Sequence, residues 1–167
     1  MHVLANIAIT LITTATMEGI AWLSHRYLMH GPGWGWHASH HEPRTRRLEK
    51  NDLFAVCFAV FAIVLIWFGT SGAWPLQWVG AGMTLYGLLY FVVHDGMVHR
   101  RWPLGFVPQH GYLRRLYQAH LLHHATTTRH GAVSFGFLIA PSERNLKKAL
   151  EARRVLRKGG GPARQDA

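Results

Sequence analysis

The chain has 13 histidines in 167 residues, and ten of them fall into four short clusters. His25 and His30 form H-x4-H in HRYLMH, and His37, His40 and His41 form H-x2-H-H in HASHH. His94 and His99 repeat H-x4-H in HDGMVH, and His120, His123 and His124 repeat H-x2-H-H in HLLHH. Imidazole is the commonest protein ligand for metals. On a helix, positions i, i+3 and i+4 share one side, within an arc of ~100°. Each H-x2-H-H can therefore offer three imidazoles to one cavity. The i, i+5 pairs stand ~140° apart on a regular helix. They need a helix end between the two residues, or ligands bound to different ions. Gly31, Pro32, Gly33 and Gly35 supply such an end after His30, and Gly96 inside the second pair can loosen its helix.

Ten gathered imidazoles would repel one another if protonated and cost energy if buried unpaired. Metal ions remove both problems by binding the neutral ring. At about four to six ligands per ion, the set suits two ions, and Zn, Cu, Fe and Ni all accept imidazole. Supporting groups can be named. Glu18 precedes His25 by two helical turns, so it either orients that imidazole or snorkels to the interface. Asp95 beside His94 either orients that ring or pairs with a surface arginine. His130 follows the last cluster closely and is a further candidate supporting residue, whereas His2 and His110 read as ordinary polar residues.

The elements that must position these residues are apolar. Val3–Leu23 contains one charge, Glu18, while Leu53–Gly69 and Trp74–Val93 contain none. A helix needs ~20 residues to span a bilayer, in a range of ~17–25, and these blocks hold 21, 17 and 20. Buried helices of a soluble protein would show a polar face. A signal peptide would carry a basic start, and no Lys or Arg precedes Arg26. All 18 Lys and Arg fall in residues 24–52 or 94–167. With three spans these two segments share a side, and the positive-inside pattern makes that side cytosolic. The net charge of +10 then marks topology and a surface for anionic lipid, and no nucleic-acid module accompanies it. The aromatic content excludes a disordered chain, and Cys57 as the single cysteine excludes a disulfide scaffold.

The expected fold is an all-α integral membrane protein. About three transmembrane helices and an interfacial or re-entrant segment at Gly131–Pro141 carry a cytosolic helical cap that holds a His-rich dimetal site. Residues 1–141 form the membrane domain with its cap. Residues 142–167 form a basic amphipathic helix over Glu143–Lys158, ended by Gly159, Gly160, Gly161 and Pro162, and then a flexible tail. Leu146, Ala149, Leu150 and Val155 or Leu156 form its apolar face toward lipid.

The four clusters set among membrane spans resemble the histidine signature of the integral-membrane fatty acid hydroxylase superfamily. Within it, MEGIAWLSHRYLMHGPGWGWHASHHEPR at 17–44, FVVHDGMVHRRWP at 91–103, RRLYQAHLLHHA at 114–125 and VSFGFLIAP at 133–141 are similar to the bacterial β-carotene 3-hydroxylases. The resemblance covers roughly residues 1–141 and loosens from Ser142 onward. It implies a non-haem di-iron monooxygenase that hydroxylates C3 of β-ionone rings with O2, making β-cryptoxanthin and zeaxanthin from β-carotene. The ten clustered histidines would be the iron ligands. Members of the superfamily do not all use every motif histidine directly, and zinc or another ion could replace iron in recombinant protein.

No G-x-G-x-x-G fingerprint follows a strand. Electrons are therefore expected from a ferredoxin-type donor and its reductase, to which a basic cytosolic face is suited. The carotenoid would enter from the bilayer of the bacterial inner membrane. Trp22, Tyr27, Trp34, Trp36, Tyr90 and Phe91 line its route or serve as interfacial and packing residues. Other readings keep the metals but change the substrate to a sterol or fatty acyl lipid, hydroxylated or desaturated. A membrane metal transporter would place its ligands near the bilayer midplane, whereas these histidines lie beyond the span ends. A bis-His haem carrier would leave most of the ten surplus.

Overall fold

The computed structural model describes residues 2–43, 48–102 and 106–159, with backbone alone over 154–159. Arg44 and Pro103 of the quoted motifs, the side chains of Val155 and Leu156, and everything from Gly160 onward lie outside the described residues. Among the described residues the regular structure is entirely helical. Helix α1 (Val3–Leu23) continues as a π-helical turn over Ser24–Met29. Helix α2 is Trp34–His41, α3 is Asp52–Thr70 and α4 is Leu76–Tyr90, the last continued by a π-helical stretch over Phe91–Val98. Helices α5 (Gly111–His123) and α6 (Glu143–Gly159) complete the set.

Three helices are long and apolar enough to cross a membrane: Val3–Met29, Asp52–Thr70 and Leu76–Val98. Between 11% and 22% of their apolar windows is buried, so most of that surface faces outward, as lipid contact requires. Helix α4 is central and packs on both α1 and α3. Two of its glycines make this possible. A Cβ at Gly80 would stand 2.7 Å from the Ala62 carbonyl of α3, and one at Gly82 would stand 2.6 Å from the Thr10 carbonyl of α1. Small residues of this kind let membrane helices approach backbone to backbone. Thr14 donates to the Gly82 carbonyl at 3.1 Å. Such a bond adds about 0.6 kcal/mol in a membrane, so close packing does most to fix α4. Met17, Ala62, Met83 and Tyr86 form the core between the three helices.

The far end of the bundle is tied by Trp74 Nε1 donating to Asn6 Oδ1 at 3.1 Å. The near end collects the π-helical continuations of α1 and α4, all of α2, the start of α3 and helix α5. Residues 131–141 are not helical and are largely folded into the protein: Ala132, Ser134, Phe137 and Ala140 are buried. Helix α6 begins at Glu143, as its amphipathic pattern predicts. Leu146, expected to face lipid, instead packs on Leu116 and Ala119 of α5. The moderately apolar flank of α5 offers it a protein partner.

Candidate metal centre

The ten clustered histidines come from four separate elements and meet at the near end of the bundle. Their side-chain nitrogens sort into two groups that could hold metal ions, each with its ligand atoms within 4.8 Å of one another. One contains His25, His30, His37, His41 and His123, and the other His40, His94, His99 and His120. His124 joins the margin of the second group, its Nε2 2.9 Å from that of His120. Seven of the ten are buried, and His123 completely so.

The H-x4-H pairs find their places by a route the spacing alone did not settle. A helix end does fall at the second partner, His30 and His99 being the C-caps after Met29 and Val98, and the pairs are not divided between the two groups. The turn before each end winds as π-helix, with i→i+5 hydrogen bonds. The N–H of His30 donates to the His25 carbonyl at 3.0 Å, and that of His99 to the His94 carbonyl at 2.9 Å. One extra residue per turn brings residues five apart onto one side. Both members of each pair therefore fall in the same group. The H-x2-H-H triplets divide otherwise. His37 and His41 face the first group while His40 faces the second.

Each ring whose outward contact is known is held by its Nδ1. In the first group His25 donates to the Phe135 carbonyl (3.0 Å), His30 to the Arg129 carbonyl (2.9 Å), His37 to Asn51 Oδ1 (2.7 Å) and His41 to the Thr126 carbonyl (2.8 Å). In the second, His40 donates to Glu49 (3.0 Å) and His94 to Asp95 (2.7 Å). These oxygens only accept, so the hydrogen sits on Nδ1 and the lone pair on Nε2. The Nε2 atoms then face one another. His25 and His37 are 3.1 Å apart, His37 and His41 3.2 Å, His30 and His123 3.2 Å, His40 and His94 3.1 Å, and His99 and His120 2.8 Å. Where both tautomers are fixed in this way, between His25 and His37, His37 and His41, and His40 and His94, lone pair meets lone pair, which is repulsive unless a cation lies between. Nitrogens at about 2.1 Å from one ion and at right angles stand about 3 Å apart, so the spacing fits shared ligation.

Electrostatics favours the same species. Burial pushes His40, His120 and His123 well below the usual imidazole range. Burial likewise lowers His41 to about 4, and His37 to about 3 despite its bond to Asn51. The rings thus stay neutral and ready to ligate at ordinary pH.

Four supporting residues were not singled out from the sequence: Glu49, Asn51, Asp52 and Arg101. Asp52 accepts the Glu49 N–H at 2.9 Å, which closes the turn before α3. Arg101 bonds Asp52 at 2.8 Å and Asp95 at 3.3 Å. It also forms an ion pair with Glu49 at 3.3 Å without hydrogen-bond alignment. A readable signal was the scarcity of acids. Of eight in the chain, five precede residue 100, and Glu18, Glu49, Asp52 and Asp95 lie around this centre.

The other sequence candidates distribute as follows. Asp95 serves both of its anticipated partners, His94 and Arg101. Glu18 does not orient an imidazole. Its oxygens are taken by backbone N–H groups of residues 137–139 and by Tyr86, because the 131–141 segment fills the space beside it. His130 is exposed and belongs to neither group; the neighbouring carbonyls of Thr126 and Arg129 do the supporting instead. Among the aromatics, Trp34 lies against His30 and His41, with centroids 5.3 Å away in each case. Tyr90 stacks on His94 at 4.3 Å, with its hydroxyl 3.1 Å from His94 Nε2. Trp36 lines an apolar groove of about 610 Å³ with Leu28, Phe54 and Phe58. Trp22 packs on Tyr27, which is exposed, and Phe91 packs on Trp102.

The fatty acid hydroxylase family matches the chain over residues 10–144. A beta-carotene hydroxylase of Pantoea ananas is 57% identical over 92% of this chain and 88% of its own length. One of Pseudescherichia vulneris is 56% identical over 98% and 90%. The chloroplastic beta-carotene 3-hydroxylase 2 of Arabidopsis thaliana is 38% identical over 86% of this chain and 48% of its own. No solved structure matches the chain.

Proposed function

The chain belongs to the fatty acid hydroxylase family, and on that premise we propose that it hydroxylates C3 of the β-ionone rings of carotenoids, turning β-carotene into β-cryptoxanthin and zeaxanthin. The observation that carries the reading is the convergence of inward-facing imidazoles in two groups at one end of three apolar helices. Relatives 53–57% identical to the chain are named beta-carotene hydroxylases.

We assign one iron to each group, with O2 as co-substrate. Bound there, iron supplies the O2 activation that attack on an unactivated C–H bond needs and that redox-inert zinc does not supply. The protein contributes the rest. The Nε2 atoms of His25, His30, His37, His41 and His123 hold one ion, and those of His40, His94, His99 and His120, with His124 at the margin, hold the other. The Nδ1–H bonds of His25, His30, His37, His40, His41 and His94 fix the tautomer and ring direction of those six. Trp34, Tyr90, Phe135 and Phe137 form apolar walls that keep water out and accept the ring end of a bilayer-dissolved hydrocarbon. The remaining candidates, Trp22, Tyr27, Trp36 and Phe91, serve entry from the lipid side. The proposed setting is the inner membrane of a bacterium with the centre on the cytosolic face, where every Lys and Arg also falls. Two electrons then come from an acidic ferredoxin-type donor and its reductase.

Expression in cells that make β-carotene tests this directly. Zeaxanthin should accumulate, with β-cryptoxanthin as intermediate, on chromatography of the pigments. Unchanged β-carotene alongside a hydroxylated or desaturated sterol or fatty acyl lipid would move the reading to another substrate. A Soret band in the purified protein would overturn the non-haem assignment.

A further inference from the structure

Glu18 is the only charged residue in Val3–Leu23 and is 5% exposed. It precedes His25 by seven residues, or about 10 Å along the helix axis, so it sits below the imidazoles on the apolar side. A carboxylate at that depth is costly without partners, and among the described residues its partners are not cations. Oε1 accepts the N–H groups of Phe137 (2.7 Å), Leu138 (2.8 Å) and Ile139 (2.9 Å), and Oε2 accepts the Tyr86 hydroxyl (2.8 Å). Three successive N–H groups around one oxygen form an anion-binding nest. These groups belong to irregular backbone, which at membrane depth must be satisfied by protein.

The gripped segment also carries two rings that face the imidazoles. The Phe135 centroid is 5.6, 5.2 and 5.5 Å from those of His25, His30 and His123. Phe137 is 4.7 Å from Tyr90 and 5.8 Å from His94. Gly136 between them allows the close approach, since a Cβ there would stand 2.5 Å from the Ile139 carbonyl and 3.1 Å from Glu18 Oε1. Tyr112 of α5 holds the same segment through the Leu138 carbonyl.

We infer that Glu18 is a positioning residue: by gripping the backbone of Phe137–Ile139 it sets Phe135 and Phe137 as the wall against which the ring end of a hydrocarbon substrate is held beside the two imidazole groups. The substrate part rests on the function proposed above; the grip does not. Glutamine is a weaker substitute: its carbonyl oxygen can still accept the three N–H groups, but the charge that strengthens those bonds is lost, and its NH2 in place of Oε2 no longer accepts from the Tyr86 hydroxyl.

The test compares wild type, Glu18→Gln and Tyr86→Phe as full-length protein in lipid nanodiscs. It reads amide hydrogen exchange at 137–139, iron per chain, and KM and kcat for β-carotene. In Glu18→Gln, exchange at 137–139 should accelerate while iron at saturating supply stays at the wild-type level, since His25, held by the Phe135 carbonyl, is one of five rings in its group. The ratio kcat/KM should fall ~10–100-fold, as expected for a misplaced substrate, with most of the loss in KM. Tyr86→Phe removes one donor of four and should move exchange and KM in the same direction by less, and it carries the test if Glu18→Gln does not insert. Phe137→Ala should add little on top of Glu18→Gln, since both act through the same wall. Iron lost in step with activity would overturn the inference, as would unchanged kcat/KM beside faster exchange. Identical exchange in wild type and variant overturns it whether or not the chain acts on carotenoids. That failure is therefore distinct from a wild type that leaves β-carotene untouched.

Discussion

The two imidazole groups look alike from inside and differ from outside. In the first, the Nδ1–H groups of His25, His30, His37 and His41 donate to neutral oxygens, three of them backbone carbonyls and one the Asn51 amide. In the second, His40 and His94 donate to carboxylates, Glu49 and Asp95, which share Arg101 with Asp52. A charge-assisted bond is roughly twice as strong as a neutral one, and it makes the imidazole a stronger donor to metal. The second group is thus built on charge, and the first on backbone geometry supplied by residues 126–135. Metal ions bound in the two groups would therefore be held with unequal strength.

The largest effects should come from removing a ring. His123→Ala empties the middle of the first group, where His123 Nε2 stands 3.2 Å from both His30 and His41. His40→Ala does the same in the second, where His40 lies 3.1 Å from His94. Each should lower iron to one ion or fewer per chain and abolish hydroxylation while leaving membrane insertion intact. Metal analysis and pigment chromatography check this. Full activity in either variant would count heavily against two cooperating ions.

Removing an outer partner should separate the groups. Asp95→Asn and Glu49→Gln should weaken metal binding in the second group ~10–100-fold. Asn51→Ala should cost the first group less, since a neutral hydrogen bond is worth about 1 kcal/mol net and three carbonyl acceptors remain. Competitive metal titration with a chelator reads both. An equal or larger loss in Asn51→Ala would break the comparison.

Much of this was legible before the fold. The four histidine clusters, the three apolar spans and the basic segments are local patterns. The span at Leu53–Gly69 extends only to Asp52–Thr70 in the structure. What spacing left open was how residues five apart could share a site. The answer is π winding, for which H-x4-H at a span end was itself the signal, read against an α-helical ruler. The outer partners other than Asp95 were hidden for another reason. Glu49 serves a histidine nine residues away, but Arg129 and Phe135 serve His30 and His25 across 99 and 110 residues. Those contacts depend on tertiary closure through backbone atoms that carry no residue code. Glu18 shows the same limit, since its helical face was predictable and its partner, 119 residues on, was not.

A smaller effect should appear with pH in metal-free protein. An unfolded histidine titrates near 6.5, whereas burial holds His37 at about 3 and His41 at about 4. Between about pH 6.5 and these values the unfolded chain binds protons that the folded one refuses. Stability is therefore complete above about pH 6.5 and falls as the solution is acidified. Thermal unfolding of chelator-treated protein in detergent should show a midpoint that drops from about pH 7 to about pH 5, and bound metal should move the drop to lower pH. A flat midpoint would mean that the empty rings are hydrated rather than buried.

The smallest effect is expected at His130, and it is informative for that reason. Its side chain is exposed, while the chain around it supports the first group through the carbonyls of Thr126 and Arg129, 2.8 and 2.9 Å from His41 and His30. Arg129 adds a bond from its own Nε to the His30 carbonyl at 3.2 Å, so this stretch is tied to the first group by atoms that a change at position 130 leaves in place. His130→Ala should therefore keep iron content and kcat/KM within about twofold of wild type, the usual range for a surface substitution. A tenfold loss of metal from the first group alone would mean that a titratable side chain, and not backbone geometry, sets its strength. The contrast between a carboxylate-backed and a carbonyl-backed group would then collapse.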